Sequence, residues 1–367
     1  MTFHERALLM AAEGDRGGAP LVSVLIPVLN EEQHLPAAIA AMREQELDGD
    51  VEFLFIDGRS DDSSKALLEA AAREDGRIRV LDNPSRGTAA GLNVGLRHAR
   101  GAFVARMDAH TLYPSTYLQQ GVDRLLRADG VSWVAGPQVP LGVGKWSRRV
   151  ALALGSWAGR GGFGTRWGDS TAAPAESELQ TSVFTGLWRR TTLDDLGGWD
   201  EGWPVNQDSE MAARVLSRGG RIVCCPGMAA AYVPRNSLRS LARQYWRYGF
   251  YRAKTAIRHR GSLPRTRMAL PLLVISLAGA AIRNPARKTC RLMLGGYGVA
   301  LTTAGAVRMP AAEPRMDAAY VPLVMACMHL SWGAGFLFGL LSHWRSRRMF
   351  TEWPRPLDRK ESDERGA

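Results

Sequence analysis

Asp108 and His110 stand one residue apart in Arg106-Met107-Asp108-Ala109-His110, at the end of a short apolar run. If the extended geometry of that run continues, both side chains point to the same side. A carboxylate and an imidazole so placed suit Mn²⁺ or Mg²⁺ carrying a diphosphate, whose oxygens complete the shell together with water. A strand-end turn with a capping aspartate accounts for the same residues without a metal. Asp57 follows a second apolar run and can accept hydrogen bonds from a nucleobase or ribose edge; it can equally cap the next helix. Asn30, Glu31 and Arg86 close two further runs. Asp208 and Glu210 begin a later helix, where the dipole favours acids.

The elements that must position these residues alternate. Residues 21–27 (LVSVLIP), 51–56 (VEFLFI), 78–81 and 102–107 read as short buried strands, the first ended by Pro27. Between them, residues 31–44, about 60–75 and 88–99 carry helical spacing, with Ser60–Asp62 as an N-cap for the second. That rhythm predicts an α/β fold with a mostly parallel sheet, in which ligands bind beyond the carboxyl ends of the strands. A dinucleotide fold would place G-x-G-x-x-G after the first strand. This chain has Pro27-Val28-Leu29-Asn30-Glu31-Glu32 there, which argues against a dehydrogenase.

The chain has 367 residues and a net charge of +11. From Met211 to Ala312 there is no Asp or Glu, while 18 Lys and Arg lie in that stretch. Three apolar segments adjoin it, 268–282, 292–307 and 319–341, so a membrane surface rather than nucleic acid is the expected partner of the charge. Only the third is comfortably long for a bilayer. The positive-inside rule then predicts that 268–282 is an interfacial or re-entrant helix and that the other two form a hairpin of two crossings. Arg252 and Arg258 read as surface charges facing lipid headgroups. No signal peptide is expected in residues 1–20, and four Cys without ligand spacing fit a reducing compartment.

Taken together these residues resemble the family 2 glycosyltransferases of GT-A fold. The run from Val22 to Glu32 is similar to that family's first strand and nucleotide contact, and Phe55-Ile56-Asp57-Gly58-Arg59-Ser60-Asp61-Asp62 to its V-D-D-G-S-x-D. Arg106-Met107-Asp108-Ala109-His110 resembles the D-x-D element with His in the second place. Gly197-Gly198-Trp199-Asp200-Glu201 is like the acceptor-side turn, Asn206-Gln207-Asp208-Ser209-Glu210 stands where the catalytic base is supplied, and Arg243-Gln244-Tyr245-Trp246-Arg247-Tyr248-Gly249 resembles Q-x-x-R-W. The set is most similar to the succinoglycan-type exopolysaccharide glycosyltransferases.

The resemblance implies a GT-A Rossmann-like mixed sheet with a C-terminal membrane-associated helical region. Its expected segments are a flexible N-terminus (1–20), a catalytic domain (21–234), a basic amphipathic stretch (235–267), transmembrane or interfacial helices (268–344) and a polar tail (345–367). It implies an inverting transfer of a hexose from a nucleotide-sugar, a UDP-sugar above all, to a polyprenyl-diphosphate-linked saccharide in exopolysaccharide or cell-surface glycan synthesis. Asp208 becomes the base and Arg247 a diphosphate clamp. Pro27, Asn30, Glu31, Asp57, Arg86, Asp108 and Gln244 hold the donor. Asp108 and His110 hold the metal, and Trp199, Asp200 and Glu201 meet the acceptor, although Trp199 and Trp203 can equally be packing. Residues 160–181 read as a lid or an ordinary excursion. The expected site is a multi-pass protein of the inner or plasma membrane, with its catalytic domain cytoplasmic and no nucleic-acid partner. A processive polysaccharide synthase and a non-catalytic membrane-bound nucleotide or lipid binder are the competing readings; the absence of an apolar segment before Leu21 favours single transfer over the first.

Overall fold

The computed structural model describes residues 19–127, 129–156, 159, 175–259, 261–282 and 285–344. Most of the expected N-terminal segment, residues 160–174 of the expected lid, Arg283 and the C-terminal tail lie outside the described residues. The chain divides into two compact units. The first runs to Pro137 and resumes for Ala173–Ala230; the second begins at Gln138 and resumes at Ala231.

In the first unit, Val22–Val28 (β1) and Val51–Asp57 (β2) are buried almost throughout. Strands covered on both faces read as continuous apolar runs, and these do. Ile78–Asp82 (β3) and Phe103–Arg106 (β4) complete a parallel quartet in the order β3-β2-β1-β4. The sheet continues through Gly186–Arg189 (β9), Val131–Ala135 (β6), Arg221–Cys224 (β10) and Ser177–Leu179 (β8). β9 is antiparallel to both β4 and β6, which makes the sheet mixed. Because the chain moves outward from β1 and returns at its other side as β4, the carboxyl ends of β1 and β4 flank a crevice.

The two-residue period of the strands splits the core. Val24, Ile26, Phe53 and Phe55 face one layer, and Leu25, Leu54 and Ile56 face the other. The helices Leu35–Arg43 (α1), Ser64–Glu74 (α2) and Thr88–His98 (α3) cover them, and Tyr117–Leu126 (α4) joins the first layer. Each fully buried aliphatic side chain here contributes about 1.5–3 kcal/mol, and Leu25→Ala would cost about 2–5 kcal/mol. One charge is buried with them. Glu52 accepts hydrogen bonds from Ser23 Oγ (2.6 Å) and from the Arg100 backbone N–H (2.8 Å), and pairs with Arg79 (3.1 Å).

The second unit holds Gln138–Pro140 (β7) and all but the first residue of Ala230–Tyr232 (β11), neighbours in a small sheet, and Lys145–Leu154 (α5). Four further helices follow: Leu238–Arg258 (α8), Ala269–Ala281 (α9), Arg287–Arg308 (α10) and Val321–Trp344 (α11). α8 and α11 lie side by side along their length. Leu241 packs with Val324, Met325 and Met328, and Ala253 with Trp332 and Phe336. A Cβ built at Gly249 would lie 2.0 Å from the Trp332 carbonyl oxygen, so only glycine permits this approach.

Two expectations change here. Among the described residues a single helix, 315–344, is long and apolar enough to cross a bilayer, so a two-crossing hairpin lacks its second span. The segment expected to supply it belongs to α10, which opens with Arg287, Lys288 and Arg291 and carries four glycines. Arg252 is not a lipid-facing charge: it is 2% exposed, and its guanidinium donates to the Ser262 carbonyl.

Candidate active site

The loops after β1 and β2 are laced together. Ser60 Oγ accepts from the Asn30 N–H (3.0 Å), and Asn30 Oδ1 accepts from the Asp61 N–H (3.0 Å). The Glu31 N–H donates to Ser64 Oγ (2.8 Å), and the Gly58 N–H donates to the Val28 carbonyl (2.8 Å). Asp57 accepts from the hydroxyl (2.7 Å) and N–H of Ser60, which aims this loop. Of the expected cap Ser60–Asp62, Ser60 is thus held by Asp57, while Asp62 accepts from the Ser64 N–H (2.9 Å). α2 starts later, at Ser64, because Asp57 has already taken Ser60. Asp57, Ser60, Arg59 and Lys65 line a cavity of about 750 Å³.

Asn30, Arg59 and Arg86, which follow β1, β2 and β3, all take a left-handed backbone, with φ of 57°, 55° and 59°. Such residues are strained unless glycine, and strain of this kind clusters where ligands bind. Arg86 Nη1 donates to the Arg59 carbonyl (3.1 Å), and Arg59 forks onto Asp82 (3.2 and 3.0 Å). Pro27 lies within β1 and is partly exposed.

The extended geometry expected to align Asp108 with His110 does not persist. β4 ends at Arg106, and the N–H of Thr111, which opens the short strand Thr111–Leu112 (β5), closes a turn onto the Asp108 carbonyl (3.1 Å). Asp108 is buried and both its oxygens accept from Arg106 (2.9 and 3.1 Å). His110 is half exposed, and its Nδ1 lies 3.0 Å from Glu31 Oε1; the other Glu31 oxygen meets His34 Nδ1 at 2.9 Å. Among the described residues there is no group of three or more His, Cys, Asp or Glu that could hold a metal ion. The carboxylate and imidazole still fit a divalent ion in donor chemistry, with oxygens of a bound diphosphate making up the shell.

Arg106 also reaches Asp208, with Nη1 2.8 Å from Oδ1. Burial alone would lower its guanidinium, but the Asp108 and Asp208 carboxylates outweigh that and raise it above its ordinary value. Tyr113 closes the cluster by accepting from the Asp108 N–H (2.8 Å). Asp208 lies in the first turn of Gln207–Ser217 (α7). Glu210, in the same turn, is fully buried and locked to Arg214 at 2.7 Å, which leaves it no role at the surface.

The glycine pair Gly197 and Gly198 takes φ of 74° and 68° and turns the chain out of Arg190–Leu196 (α6). Asn93 holds this turn. Its amide accepts from the Trp199 N–H (2.8 Å) and donates to the Trp199 carbonyl (2.8 Å) and to Glu201 (2.9 Å). Trp199 is only 1% exposed and packs edge-on against Trp188, so it belongs to the core and not to an acceptor surface. Trp203 is buried too. Asp200 accepts from the Gly202 N–H (2.9 Å), and Glu201 remains exposed. In the second unit, Gln244 donates to the hydroxyls of Tyr248 (2.9 Å) and Tyr232 (3.3 Å), while Arg247 is exposed on α8.

Residues 23–173 match the family model described as "Glycosyl transferase family 2". The succinoglycan biosynthesis protein ExoA of Rhizobium meliloti is 30% identical over 87% of this chain and 94% of its own. The chain belongs to glycosyl transferase family 2. A mannosyltransferase of Pyrobaculum calidifontis, solved in complex with GDP-mannose and Mn²⁺, shares the fold at a TM-score of 0.54, with 19% identity over 90% of this chain and 95% of that one. An undecaprenyl-phosphate 4-deoxy-4-formamido-L-arabinose transferase of Pseudomonas aeruginosa is 34% identical over 36% of this chain and 41% of its own.

The glycosyltransferase is thus an enzyme of GT-A fold related to an exopolysaccharide biosynthesis protein. Three positions in this family member went unnoticed in the sequence. Arg106 hid inside a motif valued for Asp108, although a charged residue ending an apolar strand is a legible signal. Asn93 lies 106 residues from Trp199, and no local pattern marks it. Arg59 stands where the resembled V-D-D-G-S-x-D has its glycine, and it adopts the backbone that glycine would.

Proposed function

We propose that this glycosyltransferase moves a hexose from a nucleotide-sugar, a UDP-sugar, to a polyprenyl-diphosphate-linked saccharide, with inversion at the anomeric carbon. The observation that supports it most is the bridge from Arg106 to Asp108 and Asp208, which joins the donor-side and base-side motifs in one buried cluster. Asp208 takes the proton of the acceptor hydroxyl as that oxygen attacks the anomeric carbon, and the diphosphate leaves from the opposite face. Asp57 and Arg86, on the laced loops, receive the nucleotide, with Asn30 and Glu31 shaping its rim. Arg247 clamps the leaving diphosphate. Asp108 and His110 would hold a divalent cation, Mn²⁺ or Mg²⁺, which when bound supplies positive charge to the diphosphate. Asp200 and Glu201 meet the acceptor.

The protein works at the inner or plasma membrane, with its catalytic unit in the cytoplasm. The acid-free stretch 211–312 supports that placement. The test is donor turnover and transfer by the purified full chain, with Asp208→Asn beside it. Loss of about 10²–10⁴-fold in transfer with donor binding retained is the expected result. Unchanged transfer by Asp208→Asn would overturn the assignment of the base.

A further inference from the structure

We propose that the helical unit rests on the surface of an anionic bilayer through the outer faces of α9 and α10, and that none of its helices crosses the membrane.

The helix with the composition of a span, α11, is tied along its length to α8. The two run in the same direction, from Leu241 beside Val324 and Met325 to Phe250 beside His343 (ring centroids 4.5 Å apart). α8 is not a membrane helix. Arg239, Arg243 and Arg247 form an exposed stripe at four-residue spacing, and Arg252, Lys254 and Arg258 follow. If α11 crossed, α8 would be carried through the hydrocarbon with it, and its arginine stripe would face lipid.

The connection between α10 and α11 points the same way. Asp317 is buried there and pairs with Arg149 (2.8 Å) and Arg148 (3.2 Å) of α5. Arg149 also stacks on Tyr320, its guanidinium carbon 3.5 Å from the ring centroid. α5 is joined through β7 directly to the strand β6 of the catalytic unit. A loop clasped to α5 lies on the same side of a bilayer as α5.

What remains is an apolar face that none of the described residues covers. On α9, Leu272 and Ile275 are exposed one turn apart, Leu277 is exposed beyond them, and Met268 and Ile282 are exposed at the two caps, while Leu273 and Ser276 are buried. On α10, Leu292, Val299 and Val307 are exposed opposite Leu301 and Ala304. The two helices meet through Ser276 and Met293. Exposed Arg265, Lys288 and Arg291 edge this face, and no acidic residue occurs between 211 and 312 to offset them. Apolar residues bordered by cations suit the headgroup boundary of a negatively charged leaflet.

The inference stands on the helical unit alone and is read without sugar transfer. The full chain is sedimented with vesicles of phosphatidylglycerol and phosphatidylcholine, or of phosphatidylcholine only. Binding at least about 10-fold stronger to the anionic vesicles, weakened by salt, is expected. Leu272→Glu with Leu292→Glu, and separately Lys288→Glu with Arg291→Glu, should each lower binding about 10-fold and leave donor hydrolysis unchanged. Equal binding to neutral vesicles, or self-association in place of vesicle binding, would overturn the proposal. In cells, an alkaline carbonate wash should release the chain from membranes. Ala311→Cys should react with a membrane-impermeant thiol reagent only after the cells are opened. Retention through the wash, or labelling of intact cells, would show a crossing and sink it.

Discussion

Arg106 Nη1 lies 2.8 Å from Asp208 Oδ1, joining a strand end to a helix start 102 residues away in the chain. The same guanidinium forks onto Asp108, so one buried cation fixes two carboxylates. Removing it takes away the partner that the two carboxylates share. Arg106→Met should cost about 3–5 kcal/mol in stability, read by denaturant unfolding, because an uncompensated buried charge is expensive. Arg106→Lys keeps the charge but not the fork; it should fold and still lose about 100-fold in turnover through misplacement of the proposed base. Full turnover by the lysine variant would mean that Asp208 needs no positioning.

Arg59 occupies a left-handed backbone, where its Cβ is crowded and glycine is not. Its exposed pair with Asp82 offers little in return. Arg59→Gly should therefore hold or raise thermal stability, with a shift in Tm of about +1 to +3 °C. A marked fall in Tm would mean that the Arg59–Asp82 pair carries the turn.

Glu52 predicts a pH dependence. Burial alone would raise its carboxyl, but the Ser23 hydroxyl and Arg100 outweigh that and leave it lowered. A carboxyl lowered by folding contributes stability above its unfolded value, about 4.3, and loses it as pH falls through the folded one. Glu52→Gln should be less stable than the parent at pH 7, and the gap should narrow steadily below about pH 4. A gap independent of pH, in thermal melts across that range, would assign the effect to packing.

Arg247 and Arg252 should separate. Arg247 is exposed on α8, and Arg247→Lys is expected to lose most turnover with an unchanged Tm if it clamps the diphosphate. Arg252 is buried against the Ser262 carbonyl, so Arg252→Ala should cost about 1–3 kcal/mol. Arg258→Lys should do neither. Equal loss of turnover at Arg247 and Arg258 would reduce Arg247 to one cation among many.

The first four strands, the helices between them and the residues at the strand ends were legible in the sequence. Continuous apolar runs and helical spacing are local consequences of burial, so they survive in one dimension. Asp57, Asp108 and Asp208 could be picked out by type and order. Which carboxylate is tied to which cation could not, since Arg106 meets Asp208 and Asn93 meets Trp199 only when distant elements pack. Burial likewise decided that Glu210 is locked to Arg214 and that Trp199 is core. The helical region shows the division most sharply. Hydropathy along 319–341 describes a stretch fit for a bilayer, but hydropathy is a property of one segment. What a segment can do in a membrane depends on its neighbour, and only the fold set the arginine stripe of α8 beside α11.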